Sequence, residues 1–549
     1  MPEPRIHRWW PGCWQPFAHA PKRAEWGAAP TPDRAEWGLR RPDGPDLTPD
    51  TDSAHTAVLA APLEIPLTPA RPSSRRELGR MFLVLLALTC ALRGPAFFVS
   101  VFNSDETFLA TQAHVIADGG QLYEDATDRK PPLVPYLYAA TFAFFSTTAL
   151  WSVRVLAMLA VALTALLLAI EARRRYGRRA AWTAGLMFVL AMVAFAPQDG
   201  QAANFEVFML PSMTAAMLFA RRGKGFAAGI AVAAATLAKQ TGAATLLPVL
   251  YLIARTRGKR GIGDVGLGFA IPTVLVALAV GPSQLLYWAV LGNGSYLGVK
   301  TMSAEVVTTF LFMTATWAAC NLPLLWKIPS GWRDRHVRAH DGQGDTDLWL
   351  WLLSAGVSVA VGLRFFGHYY MQLVPPLALL SAGALSRGRQ RWTDYTVRAA
   401  IVLALAFSAA GYFMHPGDPE PNYQSVSRYL ASVTNPADRI FVWGSVPEIY
   451  YASGRRPATR FLTSSFLTGS YPGRPADQAN TGDDTKKAWN DFYTDFTAHP
   501  PKYFVDTSPA KVRGSQYYPI AKFPRLQRII RRQYHYVLSL DHIAVYRRR

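Results

Sequence analysis

Cysteine is scarce in this chain. Three cysteines in 549 residues cannot build a disulfide framework. Cys13 falls in an N-terminal tail, and Cys90 and Cys320 fall within apolar segments. Charge is scarce too: 17% of residues are charged, while 50% are hydrophobic. A soluble protein of this length would be several domains with more charged surface. There is no P-loop, no GxGxxG following a strand and no zinc-spaced His/Cys set, so no nucleotide-sugar site is evident. No cleavable signal peptide is expected, because the first long apolar run begins only near Met81.

What the chain has instead is apolar runs long enough to cross a bilayer, which takes roughly 20 residues each. Its net charge of +20 could suggest nucleic acid. Most of the Arg and Lys, however, sit in short clusters between the apolar runs or in the tails, as topology determinants do. A multi-pass protein of the plasma membrane follows, with no nucleic-acid partner. Residues 1–75 are rich in Pro, Ala, Asp and Arg and repeat one phrase, Arg23-Ala-Glu-Trp-Gly27 and Arg34-Ala-Glu-Trp-Gly38. Two copies make no solenoid. This part reads as a disordered cytoplasmic tail, the alternative being a start codon assigned too far upstream.

Arg71, Arg75, Arg76 and Arg80 precede the first span, expected at 81–101, which puts the N-terminus in the cytoplasm and the next loop outside. The apolar segment 134–148 is short, aromatic and introduced by two prolines. Read as a span, it would put the cluster Arg173–Arg179 outside; read as an interfacial helix, it keeps that cluster inside. Further spans are expected at 151–170, 181–197 and 205–220, then a broken pair within 225–254 interrupted at Lys239-Gln240-Thr241-Gly242. Broken helices at membrane depth are tolerated where they face protein or a wet cavity; the alternative for Lys239 is snorkelling to a headgroup. Spans at 263–281, 304–326, 348–363, 370–386 and 397–413 complete about eleven crossings, with a second interfacial segment at 284–300. From His415 onward charge rises, and 439–444, 502–505, 534–538 and 542–546 read as strands after a helix at 423–433. The fold class is therefore membrane all-α over residues 76–414, plus a small α/β domain over 415–549 placed outside the membrane.

The first outer loop, 102–150, is dense in acid at its start: Asp105, Glu106, Asp118, Glu124, Asp125 and Asp128, closed by Arg129-Lys130-Pro131-Pro132. Adjacent carboxylates beside a low-dielectric boundary are costly unless a site uses them. An Asp-Glu pair, a helical run, Gly-Gly, Leu-Tyr and then Lys-Pro-Pro-Leu before an aromatic helix resembles the first outer loop of membrane-embedded glycosyltransferases of the GT-C class. The likeness is strongest to bacterial relatives of protein mannosyltransferases and lipid A aminoarabinose transferases (glycosyltransferase families 39 and 83), and it covers roughly residues 80–415.

That resemblance implies transfer of a sugar from a polyprenyl phosphate to an acceptor outside the cytoplasm, whether glycan, lipid or protein. Asp105 would be the base, expected to have a pKa raised by partial desolvation. Glu106 would be its partner in the catalytic pair or part of a metal site. Lys130 matches a family position that contacts the donor phosphate. Some relatives have Glu just before that Lys, whereas here Arg129 stands there with Asp128 behind it, so a divalent-metal requirement is left open. Arg364-Phe-Phe-Gly-His368-Tyr369-Tyr370 resembles the family's outer motif before a Pro-Pro helix, with Arg364, His368 and Tyr369 as donor-phosphate candidates beside Arg129. Asn204-Phe-Glu206 resembles the family's Asn-x-Glu element. With Asp199 and Lys239 it forms a second, acceptor-side candidate site; for Glu206 the alternative is a helix N-terminal acid favoured by the dipole. The competing function is a transporter or lipid flippase, but no two related halves are visible in the sequence. A non-catalytic scaffold would leave Asp105 and Lys130 without a role.

Overall fold

A computed structural model of the chain describes residues 74–291, 304–333, 344–413, 422–469 and 483–549. The proline-rich tail with its repeated phrase and Cys13, and the stretch around Tyr296, lie outside the described residues.

Apolar runs become helices wherever backbone groups must be satisfied without water. In chain order these are α1 (Arg75–Leu92), α2 (Ser104–Ala117), α3 (Leu133–Phe145), α4 (Leu150–Tyr176), α5 (Arg178–Ala191) and α6 (Phe205–Arg221). There follow α7 (Gly225–Ala238), α8 (Leu246–Val280), α9 (Ala304–Cys320), α10 (Thr346–Ala360), α11 (Val374–Arg387) and α12 (Gln390–Tyr412). Among the described residues, three stretches are long and apolar enough to cross a membrane: α4, the run Gln240–Val280, and α12. A fourth qualifies if α9 and the following Leu322–Ser330, bent by 80°, count as one. The expected straight span at 304–326 is thus broken. Asn321 leads into Leu322-Pro323 there, and Pro323 has no N–H to continue the ladder. α3 has 13 residues, about 20 Å of helix, too short to cross by itself.

The interruption expected at Lys239 is real. α7 stops at Ala238, Lys239 is extended, and a 3₁₀ turn spans Gln240–Thr245. α8 then reverses at Gly258, whose φ of 59° and ψ of −150° are non-helical, in the basic turn that was expected between two crossings. α7 and the second half of α8 meet backbone to backbone. A Cβ on Gly229 would lie 2.2 Å from the Val265 carbonyl, and one on Gly268 2.1 Å from that of Phe226. This is the small-residue packing that lets membrane helices approach closely.

A charged cluster ties the helices together at the end of α4 away from the acidic loop. Arg175 holds Glu171 at 2.7 Å and Asp347 at 2.5 Å. Arg221 reaches Asp347 at 3.1 Å, Arg387 reaches Asp345 at 3.5 Å, and Arg173 reaches Glu77 at 2.7 Å.

The C-terminal unit combines helices with a small sheet. It starts with α13 (Tyr423–Val433), β1 (Arg439–Trp443) and the two-residue β2 (Arg456–Pro457), which sequence reading missed. It continues with α14 (Asp483–Ala498), β3 (Tyr503–Asp506), α15 (Pro524–Gln533), β4 (Tyr534–Leu540) and β5 (Ile543–Arg548). Sheet order is β2-β1-β3-β5-β4, with β1 parallel to β2 and β3, and β5 antiparallel to β3 and β4. This unit packs on the acidic loop. Thr127 N–H donates to the Arg460 carbonyl at 2.8 Å, Arg456 pairs with Asp118 at 2.8 Å, and Leu150 N–H donates to the Tyr451 hydroxyl at 3.3 Å.

Candidate active site

The acidic pair opens α2. Asn103 caps the helix, its side chain accepting from Glu106 N–H at 3.3 Å, and the first-turn acids Asp105 and Glu106 complement the helix dipole. The two then diverge. Glu106 is fully buried and takes four hydrogen bonds: two from Arg154 at 2.9 and 2.7 Å, one from Phe102 N–H at 3.2 Å and one from Ala203 N–H at 2.9 Å. Arg154 also donates to the carbonyls of Ala96 and Val99, each at 2.6 Å, and of Ser100 at 3.2 Å. Glu106 therefore turns away from Asp105 and fastens the loop, rather than sharing its chemistry. Arg93 does parallel work, donating to the carbonyls of Gly200, Gln201 and Ala202 at 2.5, 3.0 and 2.9 Å. Neither arginine was singled out from sequence. The available signal was a lone Arg at the edge of an apolar run.

Asp105 is part-exposed and faces Lys130, whose Nζ lies 3.3 Å from Oδ2 and 3.9 Å from the Phe205 ring centroid. The Lys130 backbone is set by its neighbours. Asp128 accepts from the N–H groups of Arg129 and Lys130 at 2.6 and 3.2 Å, and Tyr123 donates to the Lys130 carbonyl at 2.8 Å. Burial alone would raise the Asp105 pKa, but Lys130, then His368 and Lys239, hold it below the ordinary carboxylate range. The raised value expected from desolvation is overturned, because three cations outweigh burial.

Next to this pair sits a second charged group. Lys239 of the broken helix pairs with Glu206 in the first turn of α6, with its Nζ 4.1 Å from the Tyr369 ring centroid. The snorkelling alternative for Lys239 falls. His368 Nδ1 lies 2.8 Å from Asp199 Oδ1, and Nε2 3.9 Å from Glu206 Oε1. Burial would lower the His368 pKa, but Glu206 and then Asp199 raise it overall. Close approach here needs glycine at 367, where a Cβ would stand 2.4 Å from Asp199 Oδ2. Backbone strain gathers around the same group: Ala196, Leu363 and Phe365 have φ of 43°, 49° and 51°, a left-handed region that side chains rarely adopt. Asn204 donates to the Asp199 carbonyl at 3.4 Å. Among the described residues, Glu206 Oε2 and Asn204 Oδ1 are buried without a hydrogen-bond partner.

One cluster thus collects Asp105, Lys130, Asp199, Asn204, Glu206, Lys239, His368 and Tyr369. Arg364 is buried just before it, between the strained Leu363 and Phe365. Arg129 points elsewhere, its guanidinium 4.0 Å from the Phe466 ring centroid in the C-terminal unit. Among the described residues, no three of His, Cys, Asp and Glu gather so as to hold a metal ion.

Comparison with known proteins follows this geometry. Residues 129–288 match the family model of dolichyl-phosphate-mannose-protein mannosyltransferase. The structure of ArnT from Cupriavidus metallidurans bound to undecaprenyl phosphate is similar, with a TM-score of 0.56 and 15% identity, covering 86% of this chain and 98% of that one. So is the oligosaccharyltransferase of Archaeoglobus fulgidus, solved with zinc and sulfate, with a TM-score of 0.50 and 14% identity, covering 85% of this chain and 73% of that one. No curated protein matches the chain by sequence. The chain shares the fold of these two structures and has helices long and apolar enough to cross a membrane.

Proposed function

We propose that the protein transfers a sugar from a polyprenyl-phosphate-linked donor to a hydroxyl of an extracytoplasmic acceptor, with inversion at the anomeric carbon. The observation that carries this reading is the contact between Lys130 Nζ and Asp105 Oδ2 at 3.3 Å, beside a second group of paired charges. Support for the donor class comes from the family match to dolichyl-phosphate-mannose enzymes and from the undecaprenyl phosphate bound by ArnT. Nothing in the fold favours the transporter or flippase reading.

In the resting site Lys130 keeps Asp105 ionised but weakly basic. An incoming donor phosphate competes for the Lys130 ammonium, and loss of that nearest cation raises the basicity of Asp105 when it is needed. The acceptor O–H then gives its proton to Asp105, and its oxygen bonds to the anomeric carbon. The bond from that carbon to the phosphate oxygen breaks, its electron pair leaving on the polyprenyl phosphate. Lys130, Lys239 and protonated His368 face the charge that develops there, with Arg364 a further candidate for the donor phosphate; Arg129 takes no part. Asp199, Asn204 and Glu206 remain for acceptor hydroxyls. Among the described residues no three of His, Cys, Asp and Glu are arranged to hold a metal, so no step is routed through one. About eleven crossings, a cytoplasmic N-terminus and an extracytoplasmic C-terminal domain belong to the same proposal.

The test pairs two variants. Asp105→Asn keeps size but removes the proton acceptor, so turnover should fall about 10²–10⁴-fold with donor binding kept. Lys130→Ala should weaken binding of undecaprenyl phosphate by about 1.5–3 kcal/mol. Sugar appearing on an acceptor at near-normal rate in Asp105→Asn would end the proposal.

A further inference from the structure

We infer a binding site for an anionic phospholipid whose headgroup end lies at the end of the bundle away from the candidate active site. It consists of an apolar groove capped by a cation clamp. The groove is a shallow surface one between the C-terminal end of α5, the break after α9, and the middle of α12, lined by Leu190, Ala191, Cys320, Leu324, Ala400 and Leu403. Asn321 is its polar member, with its amide nitrogen engaged by the Trp317 carbonyl at 3.1 Å. Two residues beyond Leu324, Trp326 donates its indole N–H to Thr396 at 2.8 Å, one helical turn before Ala400. Lys327 then lies between two indoles, its Nζ 4.4 Å from the Trp326 ring centroid and 4.8 Å from that of Trp392. Arg391 flanks the same Trp392 ring at 5.3 Å. A chain in the groove would place its headgroup at this clamp.

Charge says which headgroup. Four acids of this end, Glu77, Glu171, Asp345 and Asp347, are held in ion pairs with Arg173, Arg175, Arg178, Arg221 and Arg387. Among the described residues, Lys327, Arg389 and Arg391 form no ion pair. The exposed Asp394, which accepts from Gln390 at 2.8 Å, is the acid nearest to the two arginines in sequence. Uncompensated cations among interfacial aromatic rings attract anionic headgroups. The exposed Leu322, Tyr395, Val402 and Leu405 around the groove fit acyl chains rather than a soluble polyanion. The occupant is not the glycosyl donor at work. α12 has 23 residues, about 34 Å of helix, and its far end, at Ser408 and Gly411, packs on Leu92, Pro95 and Gln201 beside the active cluster.

The experiment compares thermal midpoints of the full chain in detergent with dioleoyl phosphatidylglycerol or dioleoyl phosphatidylcholine added. Phosphatidylglycerol should raise the midpoint by several degrees more. That difference should vanish in Lys327→Ala/Arg391→Ala, and in Ala400→Leu, which narrows the groove and leaves the cations. Equal shifts with both lipids, or a difference that survives both variants, would overturn the site. Heparin matching phosphatidylglycerol would also overturn it, by showing a surface for soluble polyanions.

Discussion

Asp105 and Glu106 are neighbours in one helical turn, yet one is part-exposed beside Lys130 while the other is sealed against Arg154. Their difference carries into pH behaviour through the groups that face Asp105. His368 has a raised pKa in the folded protein, with Glu206, Asp199 and Lys239 around it. The stability it contributes is therefore complete below its unfolded value of about 6.5 and is lost as pH rises through the higher folded value. Asp105 behaves oppositely, because its folded pKa is lowered. Its contribution is complete above the unfolded value of about 3.9 and is lost as pH falls through the lower folded one. Thermal midpoints scanned upward from about pH 6 should decline on the alkaline side, and His368→Gln should flatten that decline. An unchanged slope in the variant would mean that His368 is neutral in the folded protein.

Between α7 and α8 the contact is made by glycines, so tolerance there should depend on position rather than on hydrophobicity. Gly268→Leu drives a side chain into the Phe226 carbonyl and should cost about 1–3 kcal/mol as overpacking. Gly266→Leu meets nothing within 4 Å and should leave the midpoint of the purified protein unchanged. Equal effects of the two would refute the packing argument. The elements themselves were largely legible: α2, the break at Lys239 and the main strands of the C-terminal sheet all follow local patterns of apolar spacing and turn formers. Asp105, Lys130, Glu206 and His368 were legible as single residues in short motifs. Their partnerships were not, because pairing Lys239 with Glu206, or His368 with Asp199, joins residues far apart in the chain, where spacing carries no information. The pKa of Asp105 failed for the same reason: burial could be guessed locally, but three cations arriving from three segments could not.

For the molecule as a whole, the C-terminal unit lies on the acidic loop, so the two must share one side of the membrane. A reporter fused after Arg549 should be found outside the cytoplasm, and one inserted between Arg173 and Arg179 inside. Both on one side would reverse the reading of 133–145 as a helix that does not cross. The four hydrogen bonds on Glu106 have a further consequence for genetics. One carboxylate there terminates three separate stretches of chain, and removing either partner of such a buried pair costs about 3–5 kcal/mol. In a variant library scored separately for protein level in the membrane and for sugar transfer, changes at Glu106 and Arg154 should register as missing protein. Changes at Asp105 should register as protein present but idle. Two adjacent acids would then sort into different phenotypes, and a screen that read growth alone would mistake the fastener for the catalyst.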